Sequence, residues 1–528
     1  MPVHGNDLDA PADLAHLTEE PARDTPDRVA VRSAEGTTTW AELDVASARL
    51  AANYLGLGLV AGDRVASLMP NREILLLHYV ACFRAGLVIT PLNYRYAEPE
   101  IDHALEVSGA ALLVAHAERA DDLARCALVP RLRLGVVEAE GNGGDTSLEA
   151  MLASSPTPVD LTPAEAHEPA AIFFTSGSTG PAKGVTHSLD TLGWMTATAA
   201  RGFELTSDDR FLPASSMSHI GAFLWTLASL SVGAQAVIAR TFDAGGVLPL
   251  LREHRPTVLA MIPAALVALV RDHDVTAEDF ASLRLCRSGA DKVPDELERE
   301  FVAVTGFPID EGYGMTEVGL ATLNPPSGEI RAGSIGRPVA GVVISVRDDD
   351  GDEVAAGTVG RVWINTPGTT IGYWENPEAT AEVIRDEWLD SGDLAHADDD
   401  GYLWFFGRKK QIIVHDGSNI SPVEVESALD DHPAVALSAV VGIHDVVHGE
   451  NVRAYVTLQA GATRPTAHEL IEFARAHVGY KAPEEIVFLD AMPLNPTGKI
   501  DRVALKRLAE EHVGAHPGDH ADPNTTVA

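Results

Sequence analysis

Thr175-Ser-Gly-Ser-Thr-Gly-Pro-Ala-Lys-Gly184 follows directly on an apolar run, Ala170-Ala-Ile-Phe-Phe174. The run reads as a buried strand. The stretch after it is built of glycines, hydroxyl side chains and one lysine. Glycines let the backbone turn its N–H groups toward an anion and approach it closely. Hydroxyls add donors or hold a divalent cation, and Lys183 adds a point charge. A polyphosphate needs this combination. A Gly/Ser run can also be a surface turn, but the strand before it and Lys183 favour a phosphate loop. It departs from the GxxxxGK[ST] pattern, because Ala182 stands where the glycine before the lysine should be.

Working outward, the chain has 528 residues, enough for more than one domain. A net charge of −38 argues against a nucleic-acid surface, which needs clustered Lys and Arg. The 7 lysines and 32 arginines, with abundant Ala and Asp, fit a salt-adapted or a GC-rich source. Cys82, Cys126 and Cys286 are scattered in apolar neighbourhoods with no CxxC pair. They are expected as buried free thiols in a reducing cytoplasm, with no structural zinc and no disulfide framework. Met1 to Ala15 has no signal-peptide pattern, and no apolar run is long enough for a membrane span.

Toward the N-terminus, Thr39-Trp-Ala-Glu42 has capping-box spacing and opens a helix that Gly56 and Gly58 stop. Strands at Arg64–Met69, Leu87–Thr90 and Ala111–Val114 alternate with helices at Arg72–Ala85 and Glu98–Ser108. That alternation predicts a parallel α/β architecture. The stretch Glu138–Pro158 reads as a surface excursion. Beyond the loop, strands are expected at Arg210–Ala214, Val258–Ile262 and Leu283–Cys286. Ligands of open α/β sheets sit outside the carboxyl ends of strands. Four such ends, near Thr175, His219, Gly289 and Tyr313, carry special residues and define one expected site. From Gly333 the texture changes to short strands and turns. Gly407-Arg-Lys-Lys-Gln411 breaks that pattern and marks a domain boundary. Beyond it come strands at Ala436–Val441 and Arg453–Leu458 and a helix at Thr466–Val478.

Two more stretches carry chemistry. Asp310-Glu-Gly-Tyr-Gly-Met-Thr-Glu317 reads as a short loop with a ring that can stack on a base and a carboxylate that can hold Mg2+. A β-turn with a solvated Glu has the same appearance. Ser391-Gly-Asp393 places a carboxylate after a glycine turn, suited to ribose hydroxyls or to an Asx turn.

Together with Gly407–Lys410, Asn419-Ile-Ser-Pro422 and Pro496-Thr-Gly-Lys499, these stretches resemble the adenylate-forming superfamily of acyl- and aryl-CoA synthetases, peptide-synthetase adenylation domains and luciferases. The resemblance runs from about Leu17 to Leu508. It implies a large N-terminal domain, residues 1–406, of parallel-rich α/β subdomains plus a β-rich subdomain. A hinge at 407–411, a small mobile α+β domain at 412–513 and a disordered tail at 514–528 follow. It implies ATP and Mg2+ as partners of a small carboxylic acid, and CoA or an amine as acceptor. A cytoplasmic ligase that forms an acyl-adenylate and pyrophosphate is the expected activity. By the same resemblance Thr175, Ser176, Gly177, Ser178, Thr179, Gly180 and Lys183 cradle the β- and γ-phosphates. Gly289, Ala290, Glu311, Gly312, Tyr313 and Gly314 also bind ATP, with Tyr313 against the adenine. Thr316 and Glu317 serve the α-phosphate, and Glu317 and Thr175 serve Mg2+. Asp393 holds the ribose with Arg408 behind it, and Lys499 is the catalytic lysine. A cation there relieves the charge gathered between carboxylate and phosphorus.

His219, after Ser215–Ser218, falls at the wall of the implied acyl pocket, with Gly221, Gly289, Ala290, Gly312 and Gly314 lining the rest. A packed histidine with no substrate contact is the plainer possibility. No carboxylate occurs between Phe211 and Trp225. A free amino acid would leave its ammonium unpaired there, so an aromatic or aliphatic acid is favoured. The hinge carries Gln411 where the family usually has Asp or Lys. Asp416 adds a carboxylate near the expected path of pantetheine, which weakens CoA against an amine or a carrier-protein thiol. His444 and His448 stand at i, i+4, but no third ligand is near, and a strand-end turn is the simpler reading.

Overall fold

The computed structural model describes residues 2–141, 147–157, 159–175, 182–271, 275–289, 295–415, 418–445, 448–495 and 499–515. Ser176, Gly177, Ser178, Thr179, Gly180, Ala290 and Asp416 lie outside them.

Two mostly parallel sheets form the bulk of the chain. In the first, Pro169–Thr175, Val88–Pro91, Arg64–Leu68, Leu112–His116 and Val136–Ala139 run parallel as neighbours. Lys183–Ser188 and Gly372–Tyr373 extend one edge antiparallel. The second runs from Arg337–Pro338 through Gly319–Leu323, Asp310–Met315, Leu285–Ser288, Val258–Met261, Arg210–Ala214 and Gln235–Ile238 to Val29–Ser33 and Gly36–Thr39.

Helix Ile220–Ser231 is buried at every position from Ala222 to Leu230, and helix Glu73–Arg84 from Leu75 onward. A helix that is apolar all round needs walls on both sides. Phe223 supplies the contacts. Its ring meets Tyr79 and Phe83 of the neighbouring helix at 5.3 and 6.3 Å, and Phe173 of the first sheet at 5.1 Å. The opposite side packs on Arg210–Ala214 and Gln235–Ile238 of the second sheet.

An antiparallel sheet follows, with Val343–Arg347, Gly360–Asn365, Trp388–Ala397 and Leu403–Arg408 as its main strands. Val3–His4 from the start of the chain joins its edge. Lys409–Gln411 then forms a short turn into a separate C-terminal domain. There Ile413–His415, Gly449–Leu458 and Val435–Asp445 form a sheet packed by helices Pro422–Asp430 and Ala467–Val478.

Several expectations hold closely. Thr39 and Glu42 make the capping box, Glu98–Ser108 is a helix as read, and all three cysteines are buried and free. Others are corrected. The Glu138–Pro158 excursion contains helix Leu148–Ala153, whose Leu148 and Met151 enter the main core. The strand read as Leu283–Cys286 is Leu285–Ser288, which moves Arg287 and Ser288 from a loop into the sheet. Asp310–Met315 is a strand, not a loop, and Ser391–Asp393 lies inside strand Trp388–Ala397, with a local irregularity where Gly392 has φ +72°. The last helix, Arg502–Ala515, covers the first two residues of the stretch read as a disordered tail. No helix among the described residues is long and apolar enough to cross a membrane.

The core histidines have a thermodynamic consequence. His78 is fully enclosed, its Nδ1 is 2.9 Å from the Tyr54 hydroxyl, and burial pushes it down to about 3. The unfolded chain takes up a proton below about pH 6.5 that the folded chain refuses, so stability is lost as pH falls. Between pH 7 and pH 5 this amounts to about 2 kcal/mol. His78→Leu should therefore lose less stability than the wild type over that interval, by about that amount. Denaturant titrations at the two pH values measure it, and equal losses in both proteins would refute the assignment.

Candidate active site

The site is built at the carboxyl ends of the strands in both parallel sheets. Thr175 ends one strand and Lys183 begins the next, and the two are register partners. The Lys183 ammonium lies 4.9 Å from the centre of the Tyr373 ring. Tyr373 in turn donates its hydroxyl to Glu317 Oε1 at 2.9 Å. Among the described residues this is the one side-chain hydrogen bond to the Glu317 carboxylate. Burial pushes Glu317 above the ordinary carboxylate range. The adjoining backbone is fixed as well. Thr370 N–H donates to the Glu317 carbonyl at 2.7 Å, and the Thr316 carbonyl is 2.9 Å from His187 Nε2. His187 is fully buried and pushed down to about 4, so it serves as a neutral hydrogen-bonding prop.

A second group lies beside the first. Tyr313 donates its hydroxyl to Asp393 Oδ2 at 2.6 Å, and Arg408 Nε lies 3.3 Å from Asp393 Oδ1. Asp393 and Arg408 are cross-strand partners, so the pairing is set by sheet register rather than by sequence distance. Burial pushes Asp393 up, opposed by the charge of Arg408, the Tyr313 hydroxyl and the charge of Lys499. Tyr313 is raised by burial and by Asp393. Its neighbours in the strand are held close. A Cβ on Gly314 would fall 2.2 Å from the Gly319 carbonyl oxygen, and one on Gly312 2.8 Å from that of Thr322. These two glycines let neighbouring strands meet.

His219 caps the start of helix Ile220–Ser231. Its Nε2 lies 3.3 Å from the Asn93 side-chain amide nitrogen. Burial first, then the charges of Lys499 and Arg95, push it down to about 4. Asn71 clamps the preceding loop, accepting from Met217 N–H at 2.8 Å and donating to the Ser215 carbonyl at 2.8 Å. Asn71, Asn93 and Tyr373 went unremarked in the sequence. Each is a single residue far along the chain from its partner, with no local pattern to flag it. Of the predicted residues, Thr175, Lys183, Tyr313, Glu317, Asp393, Arg408, His219 and Lys499 are drawn into one linked set. Glu311, Gly289 and Gly312 flank it on the second sheet.

Lys499 decides the reading. It comes from the C-terminal domain, where its backbone and Asn495 exchange hydrogen bonds of 3.0 and 2.8 Å. Its charge is felt by both His219, at the start of helix Ile220–Ser231, and Asp393, in strand Trp388–Ala397. Residues 18–374 match the AMP-binding enzyme family, and residues 424–499 match the AMP-binding enzyme C-terminal domain. The chain belongs to this adenylate-forming family. As an adenylate-forming ligase it activates a carboxylic acid with ATP and hands the acyl group to an acceptor. A feruloyl-CoA synthase of Amycolatopsis sp is 34% identical over 490 residues, covering 92% of this chain and 97% of the relative. An indoleacetate–CoA ligase of Aromatoleum aromaticum is 33% identical, covering 92% and 95%. The ATP-bound structure of MatB from Rhodopseudomonas palustris superposes with a TM-score of 0.88 at 30% identity, covering 95% of this chain and 99% of the other. The apo form of that protein superposes less well, at 0.76.

The Tyr313–Asp393–Arg408 group generates a direct expectation. Asp393→Asn keeps the shape and the Tyr313 contact but removes the charge. A charge-assisted hydrogen bond is worth roughly 1.5–3 kcal/mol. The KM for ATP should rise by roughly 10–100-fold while the KM for the acid changes little. Steady-state kinetics with each substrate varied in turn checks this. A rise confined to the acid would remove Asp393 from the nucleotide end.

Proposed function

We propose that this chain joins an aromatic carboxylic acid to CoA through an acyl-adenylate. The observation that carries the reading is the position of Lys499, within electrostatic reach of His219 on the acid side and Asp393 on the nucleotide side. The aromatic preference is supported by Trp225, one helical turn beyond Gly221, and by the lack of any carboxylate between Phe211 and Trp225. The two curated relatives named above act on aryl acids by their names.

In the first step an oxygen of the acid carboxylate attacks the α-phosphorus. The new P–O bond forms as pyrophosphate leaves. No base is required, because the carboxylate is already ionised at neutral pH. Lys499 offsets the charge that gathers between carboxylate and phosphorus, and a largely desolvated site strengthens that effect. Asp393, oriented by Tyr313 and Arg408, accepts from the ribose hydroxyls. The Tyr313 ring lies against adenine, with Glu311, Gly312, Gly289 and Ala290 around it. Thr316 meets the α-phosphate, and the segment from Thr175 to Lys183 takes the β- and γ-phosphates. Glu317 suits Mg2+, since its carboxylate has one side-chain hydrogen bond among the described residues and hard cations prefer such oxygens. Thr175 is the second candidate ligand, and a bound Mg2+ would neutralise phosphate charge. In the second step the CoA thiol attacks the acyl carbon, the C–O bond to AMP breaks, and AMP leaves.

The pivot between the steps is the segment 407–411, which lies between the two matched spans. Domains at 1–406 and 412–513 would move about it. A reducing cytoplasm suits the three buried free thiols.

Two experiments test the proposal. Pyrophosphate release over a panel of acids, with CoA or an amine as acceptor, should show aryl acids far ahead of free α-amino acids, with an acyl-CoA as product. A higher kcat/KM for an amino acid than for its deaminated analogue would refute the pocket assignment. An amide as the sole product would refute the acceptor. Separately, Lys499→Ala should slow adenylate formation by about 10²–10³-fold. Transfer from supplied acyl-adenylate should change by less than about threefold, under 1 kcal/mol. Equal slowing of both half-reactions would show that the lysine is structural or shared.

A further inference from the structure

Arg287 and Asp310 form a buried pair that the reaction just described does not use. Strands Leu285–Ser288 and Asp310–Met315 run parallel with Arg287 opposite Asp310, so both side chains share one face of the sheet. That face looks toward helix Ile220–Ser231. The Arg287 guanidinium carbon lies 5.0 Å from the centre of the Trp225 indole. Glycines surround the same guanidinium. A Cβ on Gly289 would fall 3.0 Å from its Nη2, and one on Gly312 3.3 Å from its Nε. On the helix side, a Cβ on Gly221 would fall 3.4 Å from the Trp225 indole nitrogen. The expected wall of the acid pocket therefore encloses a guanidinium.

The pair is also incompletely satisfied. Arg287 is 8% exposed and Asp310 is fully buried. Arg287 Nη2 makes one long hydrogen bond, 3.4 Å, to the Gly312 carbonyl. Arg287 Nε and both Asp310 oxygens have no hydrogen-bond partner. Each group feels the other's charge, yet the two do not close to an ion pair. Asn324 lies close enough to Asp310 to oppose the rise caused by burial, but its side-chain amide makes its hydrogen bonds to the Glu311 and Ser334 carbonyls, at 3.3 and 3.4 Å. An orphaned buried donor facing an orphaned buried acceptor is costly for a purely structural pair. A single small group that both accepts and donates would satisfy them together, and a hydroxyl is that group.

We infer that Arg287 and Asp310 read a hydroxyl at the far end of the acid, and that the preferred substrates are aryl acids ending in a phenolic hydroxyl. The inference rests on the acid-activating reading above. The hydroxyl oxygen accepts from Arg287 Nε–H, and its proton points to Asp310. Burial pushes Asp310 up to about 8 and Arg287 down to about 10. A hydroxyl pairs with Asp310 in either protonation state, as donor to the carboxylate or acceptor from the acid. A second carboxylate on the substrate would pair only with the protonated form, and a methoxy group cannot donate.

The test uses matched aryl acids of several chain lengths, ending in hydrogen, hydroxyl, methoxy or carboxylate, with pyrophosphate release as readout. The quantity read is the ratio of kcat/KM between hydroxyl and hydrogen acids within one protein, which does not depend on the fraction folded. In the wild type the hydroxyl acid should lead by roughly 10–100-fold at the best chain length. In the double variant Arg287→Met with Asp310→Leu, which leaves no lone charge buried, the ratio should fall to within about threefold of one. Arg287→Lys, which keeps a cation but lacks Nε–H, should lower the ratio in the same direction and serves if the double variant is insoluble. A wild type that activates acids without preferring the hydroxyl, a preference for the carboxylate or methoxy acid, or a ratio unchanged in the variants would each overturn the inference alone. Folded protein that releases no pyrophosphate with any acid would overturn the acid-activating reading as well.

Discussion

Helix Ile220–Ser231 exposes no polar face to water between Ala222 and Leu230, and the remaining architecture answers to that fact. Such a helix is stable only between two apolar walls. The walls are two separate sheets, and each also supplies half of a cleft. Phe223 locks the helix to Phe173, whose strand ends at Thr175, so Thr175 is tied to the same core. His219 stands at the helix start, where the buried cylinder emerges into the cleft. Shifting this helix would move His219 and Thr175 together.

The electrostatics of the cleft follow from its dryness. Glu317 and Asp393 are both nearly buried and both pushed up by desolvation. Cations in such surroundings act more strongly than in water. The large domain supplies Arg408 through register with Asp393, and the C-terminal domain supplies Lys499. In the proposed reaction, that charge would serve adenylate formation and be withdrawn for acyl transfer.

Much of this was legible from residue order. The apolar run before Thr175, the capping box at Thr39 and the helix Glu98–Ser108 are local signals, and local signals survive folding. Boundaries shifted where tertiary packing outweighed local pattern. The strand read as ending at Cys286 runs on through Arg287, which pairs in register with Asp310 and stacks its guanidinium on Trp225. Leu148 and Met151 sit in a segment whose composition reads as surface, yet both side chains belong to the core.

The sequence by itself determined the α/β class, the order of the chemical stretches and the types of group each stretch brings, because periodicity, glycine and charge are written residue by residue. The tertiary structure alone decided which groups meet. Tyr373 reaches Glu317, Asn93 reaches His219, and Arg408 reaches Asp393 through strand register and sheet stacking. Those contacts bridge stretches that carry no local trace of one another. Whether a buried polar group is satisfied also depends on distances between such stretches. The lack of a hydrogen-bond partner at Arg287 Nε is therefore a property of the folded molecule alone.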